Sequence, residues 1–426
     1  MRRATWRSKR WIAGLIVGLC YLVFLGDAVY AANRAVPSVA DVETLLKSGE
    51  TTVRVVCFGD SITGVYYHSG SQRAWCDMLG IGLQKAYPQA KVKMINAGIS
   101  GHTTVNGLAR MDKDVIAQKP HLVVVMFGMN DIARVKPEQF QSNLQEIVRR
   151  CATAGAAVVL CTPNSVYENT ARPNAGLENL SKRVRQVAGE HKLSVVDCFK
   201  AWQNIRRQSE TKWMLLMSDT IHPNMHGHQR FAELITKTVS GKTVALDDVA
   251  PPSDGLRVTF DRLHNQQPVT LVAMPPYDEL LPEALRAHFP QAKLQVTSWP
   301  VEGKSVAELN EWSKRVRGMK PHLVVVAVPA NATDKSQGDY IRNYEWVLNR
   351  SFHFSSRLWD VLPVLPSVTG KIPNRDAARA MLARKLVRGK DIQMLDRRPG
   401  DSRSAKAIVA EWVAERSKQW KPASKL

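Results

Sequence analysis

The residues that decide the fold read Val53-Arg54-Val55-Val56-Cys57-Phe58-Gly59-Asp60-Ser61. The β-branched and aromatic residues predict a buried strand over Val53–Phe58. Glycine and aspartate favour a turn at its end. The hydroxyl of Ser61 would then be exposed where the strand stops, which is a suitable place for a nucleophile. Because a serine hydroxyl is inert at neutral pH, this interpretation requires a base and an orienting acid elsewhere in the chain.

From this strand onward the chain alternates short apolar runs with longer amphipathic segments, which is typical of successive βαβ units. The alternation predicts an α/β domain with five parallel strands and helices on both faces, in three layers. The predicted strands are Val53–Phe58, Lys91–Asn96, His121–Phe127, Ala156–Cys161 and Ser194–Cys198. The predicted helices are Ala74–Tyr87, Thr104–Gln118, Pro137–Ala154 and Gly176–His191, with another after Asn224.

Two segments of the first half recur in the second half. Pro88-Gln89-Ala90-Lys91 returns as Pro290-Gln291-Ala292-Lys293, and the seven residues from Lys119 to Val125 return identically from Lys320 to Val326. A repeat of domain size predicts two similar α/β domains in tandem. We expect a first domain over residues 33–240, a linker over 241–256 and a second, degenerate domain over 257–420.

The first 32 residues resemble an export signal. Basic residues precede an apolar run from Trp11 to Leu25, and small residues follow around Ala31 and Ala32. The apolar run is shorter than the ~20 residues that span a bilayer, so a cleaved signal peptide and a secreted or periplasmic protein are expected rather than a membrane anchor. An odd number of cysteines remains after cleavage, three of them in strand-like runs, so we expect no disulfide scaffold, although one bridge is compatible with an oxidising compartment.

The chain is basic, with a formal net charge of +21. A solvated basic surface is the simpler explanation, and contact with an anionic polysaccharide or the cell envelope is the alternative. The export signal and the absence of a recognisable nucleic-acid-binding motif argue against nucleic acid as a partner.

Four short segments follow predicted strands in order. They are Gly59-Asp60-Ser61, Asn96-Ala97-Gly98, Gly128-Met129-Asn130-Asp131 and Asp219-Thr220-Ile221-His222-Pro223. Together they resemble the four motif blocks of the SGNH or GDSL hydrolase family over residues ~50–240, and the carboxyl ends of strands are where open α/β sheets place their sites. The resemblance implies a flavodoxin-like three-layer fold and a serine hydrolase that acts on ester bonds.

Chemistry assigns a role to each candidate residue. Ser61 would be the nucleophile, His222 the general base and Asp219 the acid that orients the imidazole. The resemblance assigns the oxyanion hole to the backbone amides of Ser61 and Gly98 and to the side chain of Asn130.

Other polar residues near these blocks have simpler explanations. Asp60 is expected to fix its turn, and Asp131 to cap the segment that follows it, rather than react. His226 and His228 are explained by the start of a helix, so neither a metal nor another cofactor is predicted.

The loop after Ser61 carries Tyr66 and Tyr67, which are suited to stacking on a sugar, and His102 is a third candidate for substrate contact. These residues favour an acylated carbohydrate, in particular an O-acetyl ester. A lysophospholipase, a thioesterase or an acyltransferase with the same triad is the alternative within enzymes. A carbohydrate-binding protein without activity is the alternative outside them.

The second half lacks most of the motif residues. Pro300, Pro329 and Ala332 stand where Gly98, Gly128 and Asp131 would fall, and Pro275-Pro276-Tyr277 replaces the nucleophile block. Asp396-Arg397 resembles the late block with an arginine, which cannot act as a base. We expect this half to be non-catalytic, either binding polymer through Trp299, Trp346 and Trp359 or packing on the first domain.

Overall fold

The computed structural model describes residues 37–64, 66–252, 255–354, 357–369 and 377–420. The predicted signal peptide, residues 1–32, lies outside the described residues. Within the described ranges, no helix combines the length and the apolar character needed to cross a bilayer.

The first half, residues 37–252, contains a sheet of five parallel strands in the order β2-β1-β3-β4-β5, as predicted. The strands are β1 (Thr52–Gly59), β2 (Lys91–Gly98), β3 (Leu122–Met126), β4 (Ala157–Cys161) and β5 (Ser194–Val196). Its helices are α1 (Val39–Ser48), α2 (Ser61–Gly64), α3 (Trp75–Ala86), α4 (Thr104–Asp114), α5 (Asp131–Arg134), α6 (Pro137–Thr153), α7 (Asn174–Glu190), α8 (Cys198–Gln208), α9 (Glu210–Met214) and α10 (Met225–Ser240).

Strand β1 is buried on both faces because helices cover both sides of the sheet. Val55 and Cys57 belong to one apolar cluster, while Val56 and Phe58 belong to the cluster on the opposite face. This alternation follows from the two-residue period of a strand. The continuous apolar run in the sequence is thus the signature of a central parallel strand.

Strand β1 pairs with β2 on one side and with β3 on the other. The chain therefore leaves β1 at the point where the strand order reverses, and a crevice opens there at the carboxyl ends of the strands. Ser61, the first residue of α2, lies at this crevice.

The second half, residues 255–420, contains a parallel sheet of four strands in the order β7-β6-β8-β9. The strands are β6 (Val269–Ala273), β7 (Leu294–Ser298), β8 (Leu323–Val326) and β9 (Asp360–Pro363). The helices are α11 (Arg257–His264), α12 (Tyr277–His288), α13 (Val306–Ser313), α14 (Val316–Met319), α15 (Gln337–Ser351), α16 (Pro366–Thr369), α17 (Ala378–Arg388) and α18 (Ala405–Gln419).

The prediction of five strands in the second sheet is wrong for the described residues. The place of a fifth strand is taken by a single parallel bridge between Val364 and Leu395. Helix α16 begins at Pro366, directly after this bridge. The backbone groups of that segment therefore form helical hydrogen bonds and do not extend the β-sheet.

The repeated Lys-Pro-His segments have the same local structure in both halves. Lys119 and Lys320 both adopt left-handed backbone, with φ of 50° and 47°. The next histidine in each copy accepts a backbone hydrogen bond through Nδ1, His121 from Arg54 and His322 from Thr270, both at 3.0 Å. This correspondence supports the duplication that the sequence predicts.

The strand register identifies the residue of the second half that corresponds to Ser61. Val55 pairs with Leu122, and Leu271 pairs with Leu323, in the equivalent strands. Counted from these pairs, Tyr277 occupies the position of Ser61, and it is buried with 1% exposure.

The predicted linker is attached to the first half at Leu246, while most of its described residues are at least partly exposed. Leu246 is fully buried, and its backbone bonds to the side chains of Gln229 and Glu233 on α10.

An ion pair joins the two halves of the chain. Arg73 of the first half forms two hydrogen bonds to the Asp391 carboxylate of the second half, both at 2.7 Å.

The described cysteines are buried and form no disulfide. They are Cys57, Cys76, Cys151, Cys161 and Cys198.

Candidate active site

The turn after β1 presents the hydroxyl of Ser61 to an imidazole. The Asp60 side chain accepts a hydrogen bond from the Ile62 backbone N–H at 2.9 Å, as predicted, and its carbonyl accepts from Gly64 at 3.0 Å. Ser61 Oγ lies 2.9 Å from His222 Nε2. The hydroxyl can therefore give its proton to that nitrogen if the nitrogen is unprotonated.

His222 is oriented by Asp219 within the loop between α9 and α10. The ring nitrogen Nδ1 lies 2.9 Å from the Asp219 carboxylate, and the His222 backbone N–H donates to the same carboxylate at 2.7 Å. A proton on Nδ1 satisfies the carboxylate and leaves Nε2 free as an acceptor.

The charge of Asp219 is stabilised in place. Burial alone would raise the pKa of this carboxyl, but the neighbouring His222 and the hydrogen bonds from it hold the pKa below its ordinary value. The carboxylate therefore stays ionised throughout the neutral range and keeps the His222 ring in one orientation.

A second imidazole lies against the first. The ring of His68 is stacked on that of His222, and His68 Nε2 lies 3.7 Å from the Asp219 carboxylate. Burial, together with the adjacent His222, holds the pKa of His68 well below its ordinary value. His68 is therefore a neutral ring at the back of the site. His68 stands in the polar and aromatic loop after Ser61, but no motif in the sequence links it to His222.

The three predicted oxyanion donors lie at the carboxyl ends of neighbouring strands. The Ser61 amide is among the first N–H groups of helix α2, which have no acceptor within their helix. The Gly98 amide donates to Asn96 Oδ1 at 3.0 Å, and Asn130 Nδ2 donates to the His102 carbonyl at 3.1 Å. Asn130 has a second amide hydrogen available.

Glycine is required at position 98 by a close backbone contact. A Cβ atom there would meet the backbone nitrogen of Gly64 at 2.3 Å. The close approach of the backbone at Gly64, rather than that of a substrate carbonyl, therefore explains why position 98 is a glycine.

Asp131 ties two motif blocks together. Its carboxylate accepts from the Thr104 backbone N–H at 2.8 Å and from the Gly128 N–H at 3.2 Å. These bonds link the segment after β2 to the segment after β3. Asp131 therefore has a structural role, but its carboxylate bonds to the first residue of α4 rather than capping the segment that follows it. Burial raises the pKa of Asp131, and it raises the pKa of Asp60 to about 7.

A cleft with a volume of ≈ 730 Å³ opens beside Ser61 and His222. Tyr66 and Tyr67 line it, as does the second half through Arg317, Trp346 and Phe354.

The three predicted substrate contacts differ in their surroundings. Tyr66 accepts a hydrogen bond from Asn96 at 2.9 Å, and Tyr67 accepts one from Arg317 at 2.9 Å. His102 is not among the residues that line the cleft, and its ring accepts a hydrogen bond from Arg110 at 3.1 Å.

The neighbouring histidines of the last block are directed elsewhere. His226 Nε2 lies 2.9 Å from the Lys385 carbonyl, and His228 Nδ1 accepts from the Trp75 backbone at 3.2 Å. Burial lowers the pKa of His228 to about 3. Within the described part of the chain, one group of side chains could supply three metal-ligating atoms, namely His68, Asp219 and His222, and these are the residues already joined by stacking and hydrogen bonding.

Four residues near the site were not predicted from the sequence to lie there. Arg317 lies in the cleft, and Glu345, Asn349 and Lys390 form a buried group that touches the loop before Asp219. They come from the half of the chain that lacks the motifs.

Comparison with known proteins places the first half in a family. Residues 57–230 match the model of the GDSL-like lipase/acylhydrolase family. An acetylxylan esterase of Geobacillus stearothermophilus is 27% identical over 230 residues, which cover 51% of this chain and 93% of that protein. Esterase TesA of Pseudomonas aeruginosa is 29% identical over 199 residues, which cover 46% of this chain and 92% of that protein.

Solved structures of similar proteins are also found. A crystal structure of an acetylxylan esterase from Geobacillus stearothermophilus aligns with a TM-score of 0.39 and 26% identity, covering 44% of this chain and 94% of that one.

The protein is therefore an ester hydrolase by class, with an α/β domain whose motif blocks meet at one sheet edge. Its residues 57–230 match a GDSL-like lipase/acylhydrolase domain, the type also called SGNH hydrolases, and the protein is a carboxylic ester hydrolase. An inactive carbohydrate-binding protein, the alternative outside enzymes, is set aside by this match.

Proposed function

We propose that this protein is an exported esterase that removes O-acyl groups, chiefly O-acetyl groups, from carbohydrate through a covalent acyl-enzyme. The observation that carries the proposal is the hydrogen-bonded series from Ser61 through His222 to Asp219 at the mouth of the cleft.

In the first half-reaction Ser61 Oγ attacks the ester carbonyl carbon while His222 Nε2 takes its proton. The resulting tetrahedral intermediate collapses, the bond to the sugar oxygen breaks, and His222 returns the proton to that leaving alcohol. In the second half-reaction water attacks the acyl-serine, with His222 again as the base, and releases the carboxylic acid. Asp219 stays ionised throughout and stabilises the imidazolium.

The developing oxyanion would be held by the amides of Ser61 and Gly98 and by Asn130 Nδ2. Each such donor contributes about 3–4 kcal/mol to stabilising the transition state in enzymes of this kind. The Gly98 amide would have to share its hydrogen with Asn96 or leave Asn96 as the intermediate forms.

The carbohydrate substrate is supported by the acetylxylan esterase relative and by the aromatic and polar side chains that line the cleft. Rings such as Tyr66 and Trp346 can stack on sugar faces, and tyrosine hydroxyls can bond to sugar oxygens. Export is supported by the composition of residues 1–32. The net charge of +21 would favour an anionic polysaccharide or the cell envelope as the surroundings of the enzyme.

Acetate release from a panel of acetylated plant, algal and bacterial polysaccharides tests this proposal, with Ser61→Ala as the control. We expect wild-type protein to release acetate and the variant to release none above background. Equal release by both proteins would overturn the serine mechanism. Dialysis against a chelator is expected to leave the activity unchanged, since no step uses a metal.

A relative in Escherichia coli that is named a thioesterase and lysophospholipase, 28% identical over 184 residues, favours one second candidate, an esterase of longer acyl chains such as a lysophospholipase or thioesterase. Aryl esters of increasing chain length separate the two. Faster cleavage of octanoyl than of acetyl esters would contradict the acetylesterase proposal. An acyltransferase would instead form a new sugar ester when an acceptor alcohol is added.

A further inference from the structure

The second half of the chain places three polar side chains in a fully enclosed position. Glu345 and Asn349 lie on helix α15, Lys390 follows helix α17, and their exposed fractions are 3%, 0% and 0%. Burying charged groups is costly unless they are paired and hydrogen-bonded. The hydrogen-bond and ion-pair partners of these three side chains therefore indicate their role.

The ammonium group of Lys390 has three acceptors around it. Its Nζ lies 2.5 Å from the Glu345 carboxylate, and it donates to Asn349 Oδ1 at 2.7 Å and to Ser218 Oγ at 2.9 Å. An ammonium has three hydrogens, so this set matches its donor capacity. The third acceptor belongs to the first half and directly precedes Asp219.

Asn349 binds the backbone of Ser218. Its Nδ2 donates to the Ser218 carbonyl at 2.7 Å. Ser218 is thus fixed at the side chain and at the main chain by two residues of the second half, and its own N–H donates to the His222 carbonyl at 2.8 Å. The loop that carries Asp219 and His222 therefore begins at a residue that the second half holds.

The far end of the loop is attached in the same way. Asn224 Nδ2 donates to the Glu345 carboxylate at 3.2 Å, and the Met225 N–H donates to the Gly389 carbonyl at 2.7 Å. Both ends of the segment from Ser218 to Met225 are therefore bonded to α15 and to the turn after α17.

The group also reaches the second imidazole. Ser218 Oγ lies 3.1 Å from His68 Nδ1. The Ser218 hydroxyl accepts a hydrogen bond from Lys390 and has one hydrogen of its own, for which Asn349 Oδ1 at 3.0 Å and His68 Nδ1 compete. When that hydrogen is donated to His68 Nδ1, the ring proton of His68 lies on Nε2, the atom that faces the Asp219 carboxylate.

We propose that Lys390, Glu345 and Asn349 are positioning residues for the ester hydrolysis, through which the non-catalytic half holds the Asp219–His222 loop and the His68 ring in their working geometry. This inference rests on the catalytic roles proposed above for Ser61, His222 and Asp219. A small displacement of His222 would lengthen its contact with Ser61 Oγ, and misplacement by ~1 Å costs about a hundredfold in rate.

The test compares the wild type with the double variant Lys390→Met/Glu345→Gln. The variant removes both charges, retains a side-chain oxygen for Asn224, and avoids the unpaired charge that either single charge-removing substitution would leave. We expect kcat for an aryl acetate to fall about ten- to a hundredfold with KM nearly unchanged, and labelling of Ser61 by a fluorophosphonate to slow in proportion.

Arg73→Met is the matched control, because it removes the ion pair to Asp391, the residue next to Lys390, without touching Ser218. We expect this variant to melt at a lower temperature and to keep wild-type kcat and labelling rates. A loss of kcat in Arg73→Met equal to that in the double variant would mean that both act through loosened packing, and would overturn the proposal.

Two further outcomes are distinct. If the double variant has wild-type kcat and labelling rate while Ser61→Ala is inactive, the positioning role is wrong and the serine mechanism stands. If Ser61→Ala is as active as the wild type, the proposed mechanism itself is wrong. Should the double variant fail to fold, Asn349→Asp, which keeps the shape of the side chain and removes the donor to the Ser218 carbonyl, is measured in the same way and is expected to lower kcat.

Discussion

The imidazole rings of His68 and His222 are stacked, with centroids 4.0 Å apart and planes inclined by 13°. Two adjacent cations at that distance would repel each other strongly in a buried site. The proton that His222 takes from Ser61 is therefore tolerated only while His68 is neutral. Burial and the neighbouring His222 provide this condition by lowering the pKa of His68.

We expect His68 to remain neutral through the pH range in which an ordinary histidine becomes protonated, because its lowered pKa moves its protonation to more acidic conditions. Histidine-selective NMR of the folded protein measures this directly, with the resonance assigned by its disappearance in His68→Phe. A midpoint for His68 near the ordinary histidine pKa of about 6.5 would contradict the expectation.

Asp219→Asn is expected to lower kcat by about four orders of magnitude. An asparagine can present its NH₂ group to Nδ1, which favours the tautomer with the proton on Nε2 and removes the base. Steady-state hydrolysis of an aryl acetate measures the effect. Asp248→Asn is the control, since Asp248 forms an exposed ion pair with Lys85, and its kcat should equal that of the wild type.

Gly98→Ala is expected to lower the melting temperature and the esterase activity together, because the added Cβ would collide with the backbone of Gly64. Gly189→Ala is the matched control. No heavy atom lies within 4 Å of a Cβ at that position. It lies in helix α7, so alanine should stabilise the fold by about 0.5–1 kcal/mol. Thermal unfolding of the two variants distinguishes them, and equal melting temperatures would refute the close-contact explanation.

Trp346→Ala is expected to raise KM for acetylated oligosaccharides severalfold and to leave the hydrolysis of small aryl acetates unchanged. Trp346 lines the cleft from the second half of the chain, and the proposed stacking on a sugar ring is a contact that an aryl acetate lacks. Trp412→Ala is the control because Trp412 is half-buried and does not line that cleft. An equal change of KM in both variants would show that the effect is not a contact with sugar.

Folding stability should fall as the pH drops below the ordinary histidine range. The pKa of His228 is about 3 in the fold, against 6.5 for an unperturbed histidine. Between these values the unfolded chain binds the proton more readily, so stability rises with pH by about 1.4 kcal/mol per unit for this group.

His228→Gln keeps an acceptor and removes the titration. Its deficit in unfolding free energy relative to the wild type should shrink by about 1.4 kcal/mol between about pH 7.5 and about pH 5.5. Urea unfolding at the two pH values provides the measurement. A deficit that does not change with pH would mean that His228 does not titrate as its burial requires.

The first sheet could be predicted from the sequence because its three central strands, β1, β3 and β4, are short and mainly apolar runs. Val53–Phe58 is buried on both faces, and such a run has few alternatives to a central parallel strand. The second sheet was predicted with one strand too many, because the segment around Leu395 pairs through one residue only. A single pair leaves no periodic pattern that a sequence could reveal.

The sequence by itself was sufficient to propose the reacting residues of this protein. Ser61, Asp219 and His222 stand in short motifs next to strand ends, where spacing along the chain largely sets spacing in the site. Only the tertiary structure decided what surrounds them. His68, Lys390, Glu345 and Asn349 meet the catalytic loop across large sequence separations and belong to no motif, because long-range contacts depend on how two sheets pack together rather than on local pattern.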